Sequence, residues 1–330
     1  MSDDAISELL IGSSPALRRI RALIAKVAPT GLPVLIQGPT GSGKELVARA
    51  IHVASGLSGA FVAFNVCAIA EPLFEAALFG HVRGAFTGAL TSARGLLAEA
   101  DQGTAFFDEI GGLPLGNQAK LLRAIELRQF RPVGARADLH SAFRTVAATN
   151  EDLTALVEAG RMRADLAHRL AGIVIDVPPL ADRPEDIPVL ARHFAHLAAR
   201  ERGGIAELTR GAIEELLAYP WPGNVRELRH TIERAVVLAG RVGLRREDVV
   251  AALQGPRQRA RGAAGDLAAR RALINVLEAS QWDTARAAER LGWHRATVYR
   301  RMKRLGIEVP VRPSSGSPSV DSQRLRTEAS

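Results

Sequence analysis

Three short stretches carry side chains suited to phosphate chemistry: GPTGSGKE at 38–45, the acidic pair in GTAFFDEI at 103–110, and ATN at 148–150. In the first, Gly38, Pro39, Thr40, Gly41, Ser42, Gly43, Lys44 and Glu45 follow the β-type run PVLIQ and open the helical pattern ELVARAIH. A P-loop needs that strand–loop–helix context. Backbone N–H groups and a helix N-terminus then converge on phosphates, and Lys44 reaches the β and γ groups. Glycine is required where a side chain would block the approach of backbone to phosphate. The hydroxyl residue that normally follows the lysine and binds magnesium is replaced here by Glu45.

In GTAFFDEI, four β-type residues run into Asp108 and Glu109, at the strand end where α/β sheets place ligands. Asp108 is suited to holding Mg2+, and Glu109 to polarising a water toward the γ-phosphate of ATP. Asn150 ends the next β-type run and is placed to help position that water. WPGNVREL puts Arg226 in the first turn of a helix starting near Asn224, where it can sense the γ-phosphate from a helical lid. Arg163 and Arg169, six residues apart, lie far downstream of the acidic pair and are suited to completing a neighbouring subunit's site. One stretch has no such chemistry. RGAFTGAL, at 83–90, is glycine-rich, uncharged beyond its first residue, and lacks the periodicity of helix or strand.

The elements that must position these groups are legible as alternation. PVLIQ (33–37), FVAFNV (61–66), GTAFFDE (103–109), FRTVAATN (143–150) and IVIDVPP (173–179) read as strands separated by helical patterns, which predicts a parallel α/β sheet. From about 184 to 250 the pattern is helical, then QGPRQRARGAAG reads as a linker. The expected division is an α/β subdomain at 11–180, an α-helical lid at 181–250, a linker at 251–265, a helix–turn–helix domain at 266–307 and a disordered Pro/Ser-rich tail at 308–330.

Charge supports that division. Residues 1–256 hold 28 Lys/Arg and 28 Asp/Glu, whereas residues 257–304 hold 12 against 4, which accounts for the net charge of +8. A neutral body with a compact basic segment suggests an appendage that binds a polyanion. Within it, DTARAAERLGWHRATVYRRMKRLGI (283–307) reads as helix–turn–helix, with Thr284 in the N-cap region and Gly292 at the turn. Leu291, Val298, Met302 and Leu305 would form the buried stripe, leaving Arg295, Thr297, Arg300 and Arg301 to face double-stranded DNA. The single cysteine, Cys67, excludes an internal disulfide and a cysteine metal cluster, and fits a reducing compartment. The acidic N-terminus is no signal peptide, and no apolar run approaches the ~20 residues that span a bilayer. A cytoplasmic protein without a membrane partner is expected.

With GPTGSGKE, GAFTGA, GTAFFDEI, AATN and WPGNVREL in this order, residues 11 to 305 resemble the bacterial enhancer-binding proteins. These are AAA+ ATPases that activate transcription by sigma-54 RNA polymerase. The resemblance implies an AAA+ P-loop parallel sheet with a small all-α lid, plus a C-terminal all-α helix–turn–helix similar to the Fis type. It implies ATP and Mg2+ as cofactors, and glutamate at position 45 is usual in the family. Asn65 would couple the state of the γ-phosphate to the loop through Glu109. Ile11 and Gly12 match the segment lining the adenine pocket, Arg163 and Arg169 the two trans-acting arginines, and Arg226 the lid sensor. Gly84, Ala85, Phe86, Thr87, Gly88 and Ala89 match the loop that touches sigma-54, with the two glycines permitting the tip to move.

The resemblance also implies a hexameric ring, with a dimer at rest, formed by this chain alone or with a paralogue. Two segments depart from the family pattern: Ala77 stands where an acidic residue is common, and Met162, Ala164, Ala167 and His168 differ around the arginines. The family's N-terminal regulatory domain is expected to be absent, which points to control by a separate protein, by hetero-assembly or by expression level. Two other readings are a DNA-binding AAA+ regulator or remodeller acting without sigma-54, and a repressor with an inactive ATPase. The intact GAFTGA disfavours the first; Lys44, Asp108, Glu109 and both arginines disfavour the second.

Overall fold

The computed structural model describes residues 2–200, 207–240, 243–254 and 273–291, together with Val298, Met302 and Ile307. They belong to two compact units that part between Leu253 and Gln254.

In the first unit, α1 (Ser2–Leu9) and α2 (Pro15–Val27) precede β1 (Val34–Gln37), which runs through the P-loop into α3 (Lys44–Ser55). β2 (Phe61–Asn65) leads to α4 (Phe74–Phe79), and the short strands β3 (Gly80–His81) and β4 (Ala93–Arg94) bracket the glycine-rich loop. Next come α5 (Leu96–Glu99), β5 (Thr104–Asp108), α6 (Leu115–Leu127), a small hairpin of β6 (Gln129–Phe130) and β7 (Leu139–His140), and β8 (Arg144–Thr149). α7 (Leu153–Glu158), α8 (Ala164–Leu170) and β9 (Ile173–Asp176) complete the α/β part. The helical part is α9 (Asp186–Arg200), α10 (Arg210–Ala218), α11 (Asn224–Ala239) and α12 (Arg246–Leu253).

All five β-type runs become strands of one parallel sheet, in the order β2-β5-β8-β1-β9. Strand residues alternate between its two faces. Leu35, Ala105, Phe107 and Ala147 enter one apolar layer with α4–α8, while Val34, Ile36, Phe106, Val146 and Ile175 enter the other with α1–α3. Every residue of β8 is buried, as expected for a central parallel strand covered on both sides. Arg144 at its start donates to the carbonyls of Ala28 (2.6 Å) and Val27 (3.0 Å), satisfying the C-terminal end of α2. Parallel pairing aligns the C-terminal ends of β1, β5 and β8, and Asn65 stands directly beside Asp108 in the β2–β5 register.

The helical part packs around Trp221, which is 1% exposed and donates its indole N–H to the carbonyl of Leu216 at 2.8 Å. Truncating so large a buried ring costs about 3–5 kcal/mol. No helix among the described residues is long and apolar enough to cross a membrane.

In the second unit, residues 273–279 are helical and a second helix spans Thr284–Leu291. Leu273, Leu277, Ala287, Val298, Met302 and Ile307 share one apolar cluster, against which Leu291 packs. Leu305 lies outside the described residues. The cap differs from expectation: Asp283 Oδ1 accepts from the N–H of Ala285 at 2.8 Å, and Thr284 is already helical and buried. A carboxylate at the helix N-terminus is favoured both as an acceptor and by the helix dipole. The expected tail at 308–330, and the expected linker beyond Gln254, also lie outside the described residues.

Candidate nucleotide site

The P-loop is shaped by glycine. Gly38, Gly41 and Gly43 have φ of +156°, +78° and +107°, so its backbone turns in a region that other residues rarely adopt. At Gly41 the fit is also steric, since a Cβ would lie 2.5 Å from the carbonyl of Gly223 in the helical part. α3 begins at Lys44, directly behind this turn. Lys44 is 9% exposed, and its ammonium donates to the carbonyls of Gly38 (2.8 Å) and Pro39 (3.2 Å). Burial pushes its pKa down, opposed by Asp108 and Glu109, with Arg226 adding a smaller push the same way. The hydroxyl of Ser42 is buried and without a hydrogen-bond partner, a polar atom turned into the loop with nothing to bind. Glu45 points away, exposed and paired with Arg49 at 2.8 Å one helical turn on.

Facing this loop, Asp108 ends β5 and Glu109 turns the chain in a left-handed conformation, φ +57° and ψ +39°. A non-glycine residue is uncommon in that region. Asn65 Nδ2 donates to Glu109 Oε2 at 3.0 Å, while Asn65 Oδ1 accepts from the N–H of Cys67 at 2.8 Å. The two residues paired by the resemblance therefore touch. The carboxyl of Asp108 is pushed up by burial, against the N–H of Glu109 (3.0 Å) and the charge of Lys44. Cys67, with Sγ 3.6 Å from the Glu109 carbonyl, has its thiol pushed up by burial and by that carboxylate. Asn150 is exposed at the end of β8 and reaches the hydroxyl of Thr40 at 3.4 Å.

The helical part is bonded to the P-loop itself. Arg226 is exposed in the first turn of α11, and its N–H donates to the Gly41 carbonyl at 3.2 Å. Asn224, whose role the sequence does not advertise, donates to the carbonyl of Thr40 (3.0 Å) and accepts from the N–H of Leu180 (2.8 Å). It is 3% exposed at φ +53°. Arg183 donates to the carbonyl of Ser42 at 2.6 Å. Asp186, fully buried, accepts from the N–H groups of Ser13 (2.6 Å) and Ser14 (2.7 Å) and from the Ser14 hydroxyl (2.8 Å). That network seats Ile11, which packs against the helical core, and Gly12, where a Cβ would lie 2.5 Å from Asp186.

Arg163 and Arg169 are exposed at the two ends of α8. Arg163 forms a two-bond pair with Asp165, at 3.1 and 2.7 Å. Among the described residues, no hydrogen bond or ion pair joins either arginine to Lys44, Asp108 or Glu109 of the same chain. Met162, which precedes Arg163, is buried within the apolar layer of α4–α8.

The glycine-rich loop projects from β3–β4, with Gly84 at φ +79° and Gly88 at φ +100°. These angles, in open space, are what demands glycine there. Its tip is not slack: Gly84 N–H donates to Ala89 O (2.9 Å) and Ala89 N–H to Phe86 O (3.0 Å). Thr87 is exposed, Phe86 is 39% exposed with its ring 5.0 Å from that of His81, and Ala85 rests near Gly134 of the neighbouring hairpin loop. Ala89 is buried and so presents no contact surface, whereas Leu90, just past the motif, is 82% exposed. Arg295, Thr297, Arg300 and Arg301 lie outside the described residues.

Residues 10–176 match the sigma-54 interaction domain, residues 181–265 the AAA+ ATPase lid domain, and residues 270–305 the Fis family of bacterial regulatory proteins. The chain is 35% identical to the DNA-binding transcriptional regulator NtrC of Rhizobium meliloti, over 91% of this chain and 70% of that protein. It is 48% identical to the transcriptional regulatory protein ZraR of Escherichia coli, over 69% of this chain and 52% of that one. It thus spans between about half and seven tenths of these relatives' lengths. Among solved structures, NtrX of Brucella abortus in complex with ATP superposes with a TM-score of 0.67 at 33% identity, covering 90% of this chain and 69% of that one. The order of a P-loop, a looped insertion, a paired acid, a bonded helical lid and a Fis-type segment is accounted for by one conclusion: the chain belongs to the sigma-54-dependent activator family, built on an AAA+ ATPase domain.

Proposed function

We propose that this chain uses ATP hydrolysis to remodel the closed promoter complex of sigma-54 RNA polymerase, while its C-terminal domain holds upstream double-stranded DNA. The observation that carries this reading is the Asn65–Glu109 bond at the end of β5. The base that would polarise water is held by a residue of the strand that leads, through α4, to the exposed loop. Crystals of the NtrX homologue hold ATP and ADP, which supports reading Gly38–Lys44 as an ATP loop.

In this mechanism the N–H groups of the P-loop and the unpartnered Ser42 hydroxyl bind phosphate, and Lys44 leaves its carbonyl partners for the β,γ oxygens. Asp108 would hold Mg2+, which when bound neutralises phosphate charge. Glu109 orients the attacking water and accepts its proton, and Asn150 assists from beside Thr40. Arg226 senses the γ-phosphate from the lid. Arg163 and Arg169 complete a neighbouring protomer's site, in a homo-hexamer or a ring shared with a paralogue that is dimeric at rest. The loop through Phe86 and Thr87, extended by Leu90, meets sigma-54. Arg295, Thr297, Arg300 and Arg301 contact DNA, with an affinity that falls steeply with salt.

Transcription in vitro with sigma-54 holoenzyme tests this. Open complexes should form with ATP and not without it. Thr87→Ala should keep ATP hydrolysis and lose open-complex formation. Full activation by that variant would overturn the loop assignment, and activation of a different polymerase would favour a regulator acting without sigma-54.

A further inference from the structure

Beyond the residues already given roles, one buried side chain bonds the segment that carries Arg163. Gln118, on the first turns of α6, is fully buried, and its amide is used completely within the chain. Its Nε2 donates to the carbonyls of Leu113 and Arg161, each at 2.8 Å, and its Oε1 accepts from the N–H of Arg163 at 2.8 Å. The amide thus grips the backbone on both sides of Met162, whose side chain is buried at 3%. Leu113 closes the short turn that begins at Glu109, through the bonds Gly112 N–H to Glu109 O (2.9 Å) and Leu113 N–H to Ile110 O (3.2 Å). One side chain therefore ties the turn after the catalytic acid to the segment that presents the arginine.

We propose that Gln118 is the positioning residue for Arg163, fixing the arginine that a neighbouring protomer's ATP site receives. This rests on the reading of Arg163 as acting in trans. Residues 159–163 join two short helices, and an exposed guanidinium on a flexible stem is aimed only as well as its backbone is held. The Asp165 pair cannot supply that aim, because both partners are about half exposed and such pairs are weak. A buried amide with every donor and acceptor satisfied can, since moving it would orphan the carbonyls of Leu113 and Arg161 and the N–H of Arg163.

The test uses the full-length chain carrying Gln118→Met, which keeps the volume, and Gln118→Asn, which keeps the amide one methylene short. Both should bind ATP with wild-type affinity and melt cooperatively, with kcat down on the order of 10- to 100-fold and KM little changed. Each is then mixed with Lys44→Ala protomers, whose own site is dead but whose Arg163 is correctly held. Hydrolysis should rise well above the sum of the two alone, because intact P-loops now receive good arginines. The control mixture is Arg163→Ala with Lys44→Ala. If the control fails to regain activity, the trans reading of Arg163 falls, and the inference with it. If the control recovers and the Gln118 mixtures do not, Gln118 acts in its own site or on the fold, and the inference alone is overturned. Wild-type kcat in both variants, or cooperative melting with lost ATP binding, would overturn it equally.

Discussion

Arg163 and Asp165 form a two-bond ion pair two residues apart, with Nη2–Oδ2 at 2.7 Å and both side chains open to solvent. In the single chain the arginine is already engaged, so the proposed delivery to a neighbouring site's phosphate would exchange one anion for another. The exchange is easy because solvent screens an exposed pair and leaves it weak. Asp165→Asn is therefore expected to leave the unfolding stability essentially unchanged. Arg163→Ala is expected to remove hydrolysis while ATP binding remains. Thermal melts and ATPase assays on the two variants check this; normal turnover by Arg163→Ala would exclude the arginine from the reaction.

Asn65 does two jobs with one amide, holding Glu109 and capping the turn at Cys67. Asn65→Ala should cost about 1 kcal/mol of stability through the lost cap. Its larger effect should be on coupling, with fewer open complexes formed per ATP hydrolysed. Measured side by side, an unchanged ratio would show that the Glu109 contact carries no signal.

Asn224→Ala removes both of its buried bonds and places alanine at φ +53°. The expected loss is on the order of 3 kcal/mol, from the orphaned Thr40 carbonyl and Leu180 N–H. Because one of these groups belongs to the P-loop, the KM for ATP should rise as well. Asn224→Gly, which relieves the backbone but not the bonds, should show the same KM increase. A KM restored to wild type by glycine would mean that the backbone angle, not the lid bond, shapes the site.

His52, on α3, bonds Thr104 at 2.9 Å, and its pKa is pushed below 6.5 by burial, with Arg144 and Arg49 adding to the effect. The folded protein thus binds that proton less readily than the unfolded chain. The stability involved is fully present above pH 6.5 and is lost as pH falls through the lowered pKa. Urea unfolding between about pH 7.5 and about pH 5 should show a steeper acid loss in wild type than in His52→Gln. Parallel curves would place the acid sensitivity elsewhere.

Much of the site was readable because its pieces are local. A glycine-rich turn between a strand and a helix, an acid pair at the end of an apolar run, and an arginine after a proline–glycine turn each depend on a few consecutive residues. What misled was likewise local. Ala89 belongs to the motif but is buried, and Leu90, outside it, is exposed; only the path of the β3–β4 loop separates them. Thr284 and Asp283 are both capable caps, and which one serves depends on where the helix begins.

The amino-acid order by itself determined which strands form and where the glycine-rich turn and the acid pair fall along them, because period, glycine and charge act within a few residues. Tertiary structure alone decided the strand order β2-β5-β8-β1-β9 and the partners that make the site one object. Asn224 meets Thr40 across 184 positions, Asp186 meets Ser14 across 172, and Gln118 meets Arg163 across 45. A buried polar group must find a partner somewhere, but only packing of the two apolar layers and the helical part determines which distant atom it finds.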